Sequence, residues 1–261
     1  CPVGAAIRVC RAAESAGIGI AGSVFRVTGE PLTAARAAVI EGHGCRVITT
    51  YSMTECGLLG IGCPTGAHAD SVHLLADKMA LVGRPDPEEH ARNRLWLTTL
   101  HPSVPRVMLN VESGDTAVPE AEPCGCGIER AGFETRLGRF RSYEKLTSEG
   151  MHLLAADVLD LLEDFLPGRF GGTVTDYQLV EDYPDGLPRI SLYVRPEVGS
   201  LDEGALLGAV KTYLSERAAP QAMMGTIWSQ GDTLRVVRAA PLATPAAKIQ
   251  PLHVIPRGEH R

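Results

Sequence analysis

The sequence has no long apolar run, no basic cluster and no dense cysteine framework, and each absence excludes a class of protein. Its longest apolar stretches, such as LLAADVLDLL at residues 153–162, are short and interrupted by aspartates, so we predict no segment that spans a bilayer. Lys and Arg number 25 against 31 Asp and Glu, for a net charge of −6. We therefore expect neither a membrane nor a nucleic acid as a partner.

The seven cysteines are odd in number and too sparse for a disulfide scaffold. This usage favours a reducing compartment, and no secretory signal opens the chain, so we expect a cytoplasmic protein. In that compartment closely spaced Cys and His more often bind a metal or take part in catalysis. Because the chain starts at Cys1 and not at Met, we expect it to be part of a longer polypeptide.

The first half of the chain has the pattern of an α/β protein. Its 261 residues, 44% of them hydrophobic, suffice for one large or two ordinary domains. Helical and strand-like segments alternate over residues 7–50, which predicts a parallel sheet with chemistry in the loops after Val27 and Thr50. Residues 71–118 hold short strands between Pro-rich turns, which indicates a mostly antiparallel sheet or distorted barrel.

A second unit is predicted after Leu137. Its pattern begins with a helix over 149–165, for which Pro167 is the expected stop. Strands are predicted in 175–182 and 189–196, a helix over 201–217 and a strand over 225–230. This order indicates a small α+β domain.

Four short segments hold residue types that could carry chemistry. Thr54 and Glu55 end a predicted strand, where a hydroxyl and a carboxylate suit phosphate and Mg²⁺, although such a pair taken alone is far more often a helix N-cap. Gly29-Glu30-Pro31 joins a strand to a helix and can turn its amides to a ligand. Asp115 follows a strand and can bind a diol, or simply stabilise a turn. Lys248, in a Pro-flanked extended segment, would by itself be a solvated charge.

The glycine-rich segment that follows Thr54 is expected to be a loop, and it holds part of a candidate metal site. Three thiols and one imidazole form the tetrahedral set that a structural zinc uses. Free thiols in a loop are the alternative, and His73 or Cys56 can replace a member of the set. The predicted ligands are Cys63, His68, Cys124 and Cys126.

Five motifs, taken together, resemble one enzyme superfamily. TGEPL (28–32), YSMTE (51–55), SGD (113–115), LGR (137–139) and the Lys248 segment have the order and spacing of adenylate-forming enzymes. The Cys and His after YSMTE, the later Cys-Gly-Cys and YQLV at 177–180 resemble the phenylacetate–coenzyme A ligase branch. The resemblance covers nearly the whole chain but only the later part of such an enzyme, since the expected Ser/Thr/Gly-rich phosphate loop is absent.

The resemblance implies a fold and a domain division. Residues 1–137 would be the C-terminal portion of the large adenylating domain, a parallel α/β sheet with a small β-barrel-like subdomain. Residues 138–261 would be the small, mobile α+β domain that follows it.

The resemblance also implies a role for each matching residue. Tyr51 would stack on adenine, and Asp115 would grip the ribose hydroxyls. Lys248 would bridge the carboxylate and the α-phosphate from the mobile domain. The remaining positions would contact the nucleotide and acyl pocket (Gly29, Glu30, Pro31, Ser52, Met53), the AMP phosphate (Thr54), Mg²⁺ (Glu55) and the domain junction (Arg139).

The implied activity is the ATP-dependent conversion of a small carboxylic acid to an acyl-adenylate, followed by thioester formation with coenzyme A. ATP/AMP, Mg²⁺ and a structural Zn²⁺ are the expected cofactors, and a homodimer is a possible assembly. One alternative is a ligase that passes the acyl group to an amine, a carrier protein or another protein. Another is a non-catalytic, zinc-stabilised binding module.

Overall fold

The computed structural model describes residues 1–87, 89–142, 145–148, 151–183, 189–216 and 234–255, with the side chains of 145–148 and 151–156 left aside. The helices are α1 (Val3–Ser15), α2 (Ala34–Gly42), α3 (Gly127–Arg130), α4 (Ala155–Asp160), α5 (Leu166–Phe170) and α6 (Glu203–Ser215). The strands are β1 (Val24–Val27), β2 (Arg46–Met53), β3 (Gly57–Gly62), β4 (Val72–Leu74), β5 (Met79–Pro85), β6 (Asn93–Thr99), β7 (Val111–Pro119), β8 (Arg136–Ser142), β9 (Lys145–Ser148), β10 (Met151–Leu154), β11 (Tyr177–Asp182), β12 (Arg189–Val194), β13 (Leu234–Arg238) and β14 (Leu252–Val254). No helix in these ranges combines the length and the apolar content that crossing a bilayer requires.

The chain forms two compact units, Cys1–Tyr143 and Glu144–Arg261. Strand β8 belongs to the first unit, so the predicted boundary after Leu137 falls inside a strand of that unit's sheet. The boundary between compact units need not coincide with the residue about which a mobile domain rotates. The predicted division after Leu137 therefore stays a prediction.

The first unit is built on one eight-stranded sheet in the order β1-β2-β3-β4-β8-β7-β6-β5. β1 and β2 pair in parallel, as predicted, and β2 then pairs with β3 in the antiparallel direction. The predicted parallel and antiparallel parts are thus continuous in one sheet. Helix α2 begins at its N-cap Thr33, whose hydroxyl accepts a 3.2 Å hydrogen bond from the Arg36 amide.

The glycine-rich segment predicted as a loop contains strand β3, so that expectation is wrong for Gly57–Gly62. Glycine here serves close approach of neighbouring strands. A Cβ on Gly60 would lie 2.8 Å from Val72 Cγ2, and one on Gly62 would lie 2.7 Å from the Thr49 carbonyl oxygen. Glycine therefore permits this strand to pair on both sides.

The second unit contains a four-stranded sheet in the order β13-β12-β11-β14. Its apolar core joins one face of this sheet to the helices, through residues such as Leu161, Leu179 and Leu206. Helix α6 is confirmed, and its N-cap Asp202 accepts a 2.9 Å hydrogen bond from the Ala205 amide. The strand predicted over 225–230 lies outside the described residues.

The helix predicted over 149–165 differs at both ends. Residues 151–154 form strand β10, and the helical stretch begins at Ala155, passes through a π-helical turn at Leu161–Phe165 and ends at Phe170. Pro167 does not stop it; the proline lies directly after the π-helical turn, at the start of α5, and the helical stretch continues past it to Phe170. Gly171, with φ of 82°, provides the end.

Candidate functional site

Tyr51 and Asp115, 64 residues apart in sequence, meet through a hydrogen bond. The Tyr51 hydroxyl on β2 donates to Asp115 Oδ2 on β7 at 2.9 Å. The Tyr51 ring also packs on the Phe140 ring of β8, with centroids 4.6 Å apart. Burial, and then the negative charge of Asp115, raises the pKa of the Tyr51 hydroxyl well above its usual range. Tyr51 is therefore a neutral donor that orients the carboxylate.

The loop after β1 is tied to the end of β2 by two hydroxyl groups. Thr28 Oγ1 donates to the Thr50 carbonyl oxygen at 3.1 Å and lies 2.7 Å from Ser52 Oγ. Since each hydroxyl has one proton, Ser52 donates to Thr28. Gly29 follows with φ of 75°, a left-handed conformation that favours glycine. The predicted nucleotide residues of these two segments are thus neighbours.

The Glu30 side chain serves the fold. Its Oε2 accepts a 2.8 Å hydrogen bond from the Gly4 amide in the first turn of α1, and its Oε1 lies 3.8 Å from the Arg36 guanidinium. Arg36 also donates to the Pro31 carbonyl oxygen at 3.4 Å. The carboxylate and Arg36 are both buried, so Glu30 can line a ligand pocket only through its backbone.

Thr54 and Glu55 occupy the turn between β2 and β3, and both are exposed. Because a strand follows the turn, the helix N-cap alternative for this pair is wrong. Cys56, the next residue, is buried in an apolar cluster that includes Leu59 and Met79, and Met53 packs against the same cluster. The turn thus presents a hydroxyl and a carboxylate to solvent while its two ends are held by core contacts.

The backbone at Arg139 is held by two side chains. Asp70 accepts hydrogen bonds from the Arg139 amide at 2.8 Å and from the Phe140 amide at 2.6 Å. The Arg139 carbonyl oxygen accepts from the Arg92 guanidinium. Arg139 has φ of 54°, which is uncommon for a residue with a side chain, and its side chain is exposed. These contacts hold that conformation beside the ring that packs on Tyr51.

Lys248 lies in the second unit, in an irregular segment between β13 and β14. The Thr244 amide donates to the Lys248 carbonyl oxygen at 2.8 Å, and the Lys248 amide donates to Thr244 Oγ1 at 3.1 Å. Ala247 between them has φ of 63°. The lysine is therefore carried on a closed turn, and it is half-buried.

Among the residues that the structure describes, three thiols and one imidazole from distant parts of the sequence form a cluster. Its ligand atoms, from four side chains, all lie within 4.8 Å of one another. His73 Nε2 is 3.2 Å from Cys126 Sγ and 3.5 Å from Cys124 Sγ. The cluster consists of Cys63, His73, Cys124 and Cys126.

The imidazole in this group is His73, the alternative that the spacing left open, and not His68. His73 is fully buried on β4, where it pairs with Arg136 of β8. The Cys63 amide bonds the Ser71 carbonyl oxygen at 2.8 Å, which closes a loop over 63–71 and brings Cys63 to the base of β4. His68 is exposed on that loop and lines a cavity of about 380 Å³ beside α2.

The donor atoms and their surroundings fit a structural zinc. His73 Nδ1 lies 2.6 Å from the Phe133 carbonyl oxygen, so that Nδ1 carries the proton and Nε2 faces the sulfur atoms. Three sulfurs and one imidazole nitrogen are a tetrahedral set for Zn²⁺. The Arg136 guanidinium, 4.0 Å from Cys63 Sγ, places positive charge beside the thiols.

Amides and charges around the cluster also tune the thiols. Glu129 accepts from the Cys124 and Gly125 amides at 3.1 and 2.6 Å, which holds the Cys-Gly-Cys turn. Burial raises the pKa of the Cys63 thiol. At Cys124 burial acts in the same direction, but hydrogen bonds from the Cys126 amide and from the Cys126, Cys63 and Thr65 side chains together lower the pKa.

Comparison with protein-family models gives no match, and comparison with curated proteins gives none either. Solved structures do match. A 2-hydroxyisobutyryl-CoA ligase in the postadenylation state, in complex with R3-HIB-AMP, aligns with a TM-score of 0.59 and 16% identity over 97% of this chain. The chain has the fold of part of an adenylate-forming ligase.

A second solved structure supports the same fold. The GH3.15 acyl acid amido synthetase in complex with 2,4-DB aligns with a TM-score of 0.56 and 10% identity over 90% of this chain. The chain spans only about half the length of these structures, 53% of the first and 45% of the second. The predicted fold, the later part of an adenylating domain followed by a small α+β domain, is confirmed.

Proposed function

We propose that this chain is the later part of a ligase that activates a carboxylic acid with ATP as an acyl-adenylate and passes the acyl group to coenzyme A, in the manner of phenylacetate–coenzyme A ligases. The observation that carries the proposal is the hydrogen bond from Tyr51 to Asp115, at 2.9 Å. It joins the residue proposed to stack on adenine to the residue proposed to hold the ribose.

The other residues that we propose to bind the nucleotide lie on β2, directly after it, or in the neighbouring loop. Thr54 and Glu55 come directly after β2 on an exposed turn, where Thr54 would bind the AMP phosphate and Glu55 would hold Mg²⁺. The Glu55 carboxylate suits that ion, because Mg²⁺ prefers one or two carboxylates together with substrate phosphates. Ser52 and Met53 on β2, and Gly29 to Pro31 in the neighbouring loop, would line the nucleotide and acyl pocket.

Lys248 would supply the positive charge that the first step needs. Attack of a carboxylate on the α-phosphorus of ATP places negative charge on the phosphorus-bound oxygens, and an ammonium group stabilises that charge. A lysine carried by a mobile domain can reach this centre and withdraw from it, which also controls the access of water. Arg139 would lie where the two domains join.

The cluster of three thiols and one imidazole would have a structural role in this enzyme, as a site for one Zn²⁺. Cys63 and His73 bracket one loop, while Cys124 and Cys126 belong to a turn far along the sequence, and a bound Zn²⁺ would join them. The metal would stabilise the part of the fold next to the nucleotide site and take no part in the chemistry.

The acyl acceptor has a second candidate. An acyl acid amido synthetase shares this fold at a TM-score of 0.56, so an amine is a candidate acceptor beside coenzyme A. The CoA ligase, at a TM-score of 0.59, and the motifs that resemble the phenylacetate–coenzyme A ligase branch favour coenzyme A. An acceptor panel of coenzyme A, free amino acids and a carrier protein, supplied after adenylation, distinguishes these outcomes. We expect the thioester with coenzyme A to dominate.

The adenylation step is tested by carboxylate-dependent exchange of pyrophosphate into ATP, measured on the full-length protein over a panel of acids. We expect exchange with at least one acid, and we expect Lys248→Ala to lower it roughly 100-fold or more, as loss of a transition-state charge partner does. Lys211→Ala, a lysine of helix α6, is the matched control. No exchange with any acid, together with retained zinc, would favour a non-catalytic binding module.

A further inference from the structure

Gln178 on β11 is a polar side chain without any exposed surface. Its neighbours Tyr177 and Leu179 face the apolar core of the second unit, and side chains alternate along a strand. The Gln178 carboxamide therefore lies on the opposite face of the sheet. A buried carboxamide is costly unless its donors and acceptor are satisfied.

Three backbone hydrogen bonds satisfy this carboxamide. Its Oε1 accepts from the Leu242 amide at 2.6 Å, and its Nε2 donates to the Leu242 carbonyl oxygen at 3.0 Å and to the Gln250 carbonyl oxygen at 2.8 Å. Both donor positions and the acceptor are thus used, which fixes the orientation of the amide. No other residue type of similar size offers two donors and an acceptor in this arrangement.

The two residues that Gln178 holds bracket the segment that carries Lys248. Leu242 lies at its start and Gln250 at its end, and the turn closed by Thr244 lies between them. Ile249, next to the lysine, is buried. One side chain from the sheet therefore ties together both ends of a segment that has no strand pairing of its own between 239 and 251.

We propose that Gln178 is a positioning residue that holds the Lys248 segment in the geometry required for adenylation. The inference rests on the proposed role of Lys248. A loop of about ten residues samples more conformations when its ends are free, and fixing its ends reduces the entropy lost when the lysine meets its target. Gln178 acts through this loop and touches no substrate.

Amide hydrogen exchange on the full-length protein tests the positioning independently of catalysis. Gln178→Met keeps the side-chain volume and removes all three hydrogen bonds, whereas Gln178→Asn keeps the carboxamide but withdraws it by one methylene. We expect exchange at residues 242–250 to rise roughly 10- to 100-fold in both variants, with β11, β12 and α6 unchanged. Gln250→Ala is the matched control, since the carbonyl group that Gln178 binds remains.

Kinetics then separate positioning from a general structural role. We expect kcat for pyrophosphate exchange to fall roughly 10- to 100-fold, as small misplacements of a catalytic group do, with little change in the KM for ATP. Consumption of a preformed acyl-adenylate by the acceptor should keep its wild-type rate, because Lys248 serves the first step.

Several outcomes would overturn the inference. Unchanged exchange in the loop, an unchanged kcat, or an equal loss in both half-reactions would each contradict a positioning role. Global loss of folding in both variants would assign Gln178 a general structural role in the unit instead. If the wild-type protein itself shows no adenylation, the proposed function fails, while hydrogen exchange still decides whether Gln178 anchors the loop.

Discussion

The Tyr51 hydroxyl donates a 2.9 Å hydrogen bond to Asp115 Oδ2, and the Tyr51 ring packs on Phe140. Side chains from three strands of one sheet, β2, β7 and β8, thus meet at Tyr51. The hydroxyl orients the carboxylate, while the ring is held from one side. A change that removes only the hydroxyl separates these two effects.

Tyr51→Phe should raise the KM for ATP roughly 10-fold and leave the KM for the carboxylic acid near its wild-type value. The reason is that a hydrogen bond to a charged group contributes about 1.5–3 kcal/mol, and Asp115 would lose the donor that orients it towards the ribose. Steady-state kinetics of pyrophosphate exchange provide the measurement. Equal changes in both KM values would argue against a ribose-specific role for Asp115.

From the Cys/His cluster we predict one zinc ion per chain after purification without chelator. His73→Ala and Cys124→Ser should lose the metal, because each removes one of the four donors within 4.8 Å. His68→Ala is the matched control and should retain it, since His68 lies outside the cluster. Elemental analysis by mass spectrometry measures the ratio. Retention of zinc by His73→Ala together with its loss from His68→Ala would contradict this assignment.

The buried ion pair between Arg136 and Glu120 predicts a stability effect. Their atoms are 2.9 Å apart, and the side chains are only 5% and 7% exposed. Arg136→Met should lower the free energy of unfolding by about 3–5 kcal/mol, because it leaves the Glu120 charge buried without its partner. Urea denaturation measures the loss.

A more exposed ion pair provides the control for this effect. Arg235 and Asp182 lie 3.1 Å apart, with the arginine 47% exposed. Asp182→Asn should cost only about 0–1 kcal/mol, because solvent screens the interaction. If Arg136→Met costs no more than Asp182→Asn, burial of the first pair is not what makes it important.

Tyr177 predicts a pH dependence of stability at alkaline pH. Burial, and then the charge of Asp176, raises its pKa from 10.0 to about 12, although Arg238 acts in the opposite direction. The folded state therefore holds the proton more tightly than the unfolded state does. The resulting stabilisation is complete below about pH 10 and is lost as the pH rises towards about 12.

Tyr177→Phe isolates this titration from the others. The variant also loses the 2.7 Å hydrogen bond to the Gly171 carbonyl oxygen, so it should be less stable than the wild type at neutral pH. The difference between the two proteins should shrink as the pH rises above about 10. Urea midpoints measured over this range give the comparison, and a constant difference would contradict the raised pKa.

Local pattern in the sequence was sufficient to predict several of the elements. Helices α1, α2 and α6, and strands β1, β2, β11 and β12, lie in segments for which the residue pattern predicted that type of element. The structure adds the N-caps of α2 and α6, Thr33 and Asp202. The pattern signals are short-range, since the residues that specify each element lie within it. The prediction that the helix stops at Pro167 was wrong because the effect of a proline depends on its position in the helical turn.

By itself, the sequence determined the order of the motifs that we propose to bind a nucleotide, the donor types for a metal, and the presence of an α/β part followed by an α+β part. Only the tertiary structure decided that His73 and not His68 joins the thiols, that Gly57–Gly62 is a strand, and that Gln178 holds the Lys248 segment. Each of these depends on which strands are neighbours and in what register. Contacts between residues so distant along the chain leave no periodic signal in either segment.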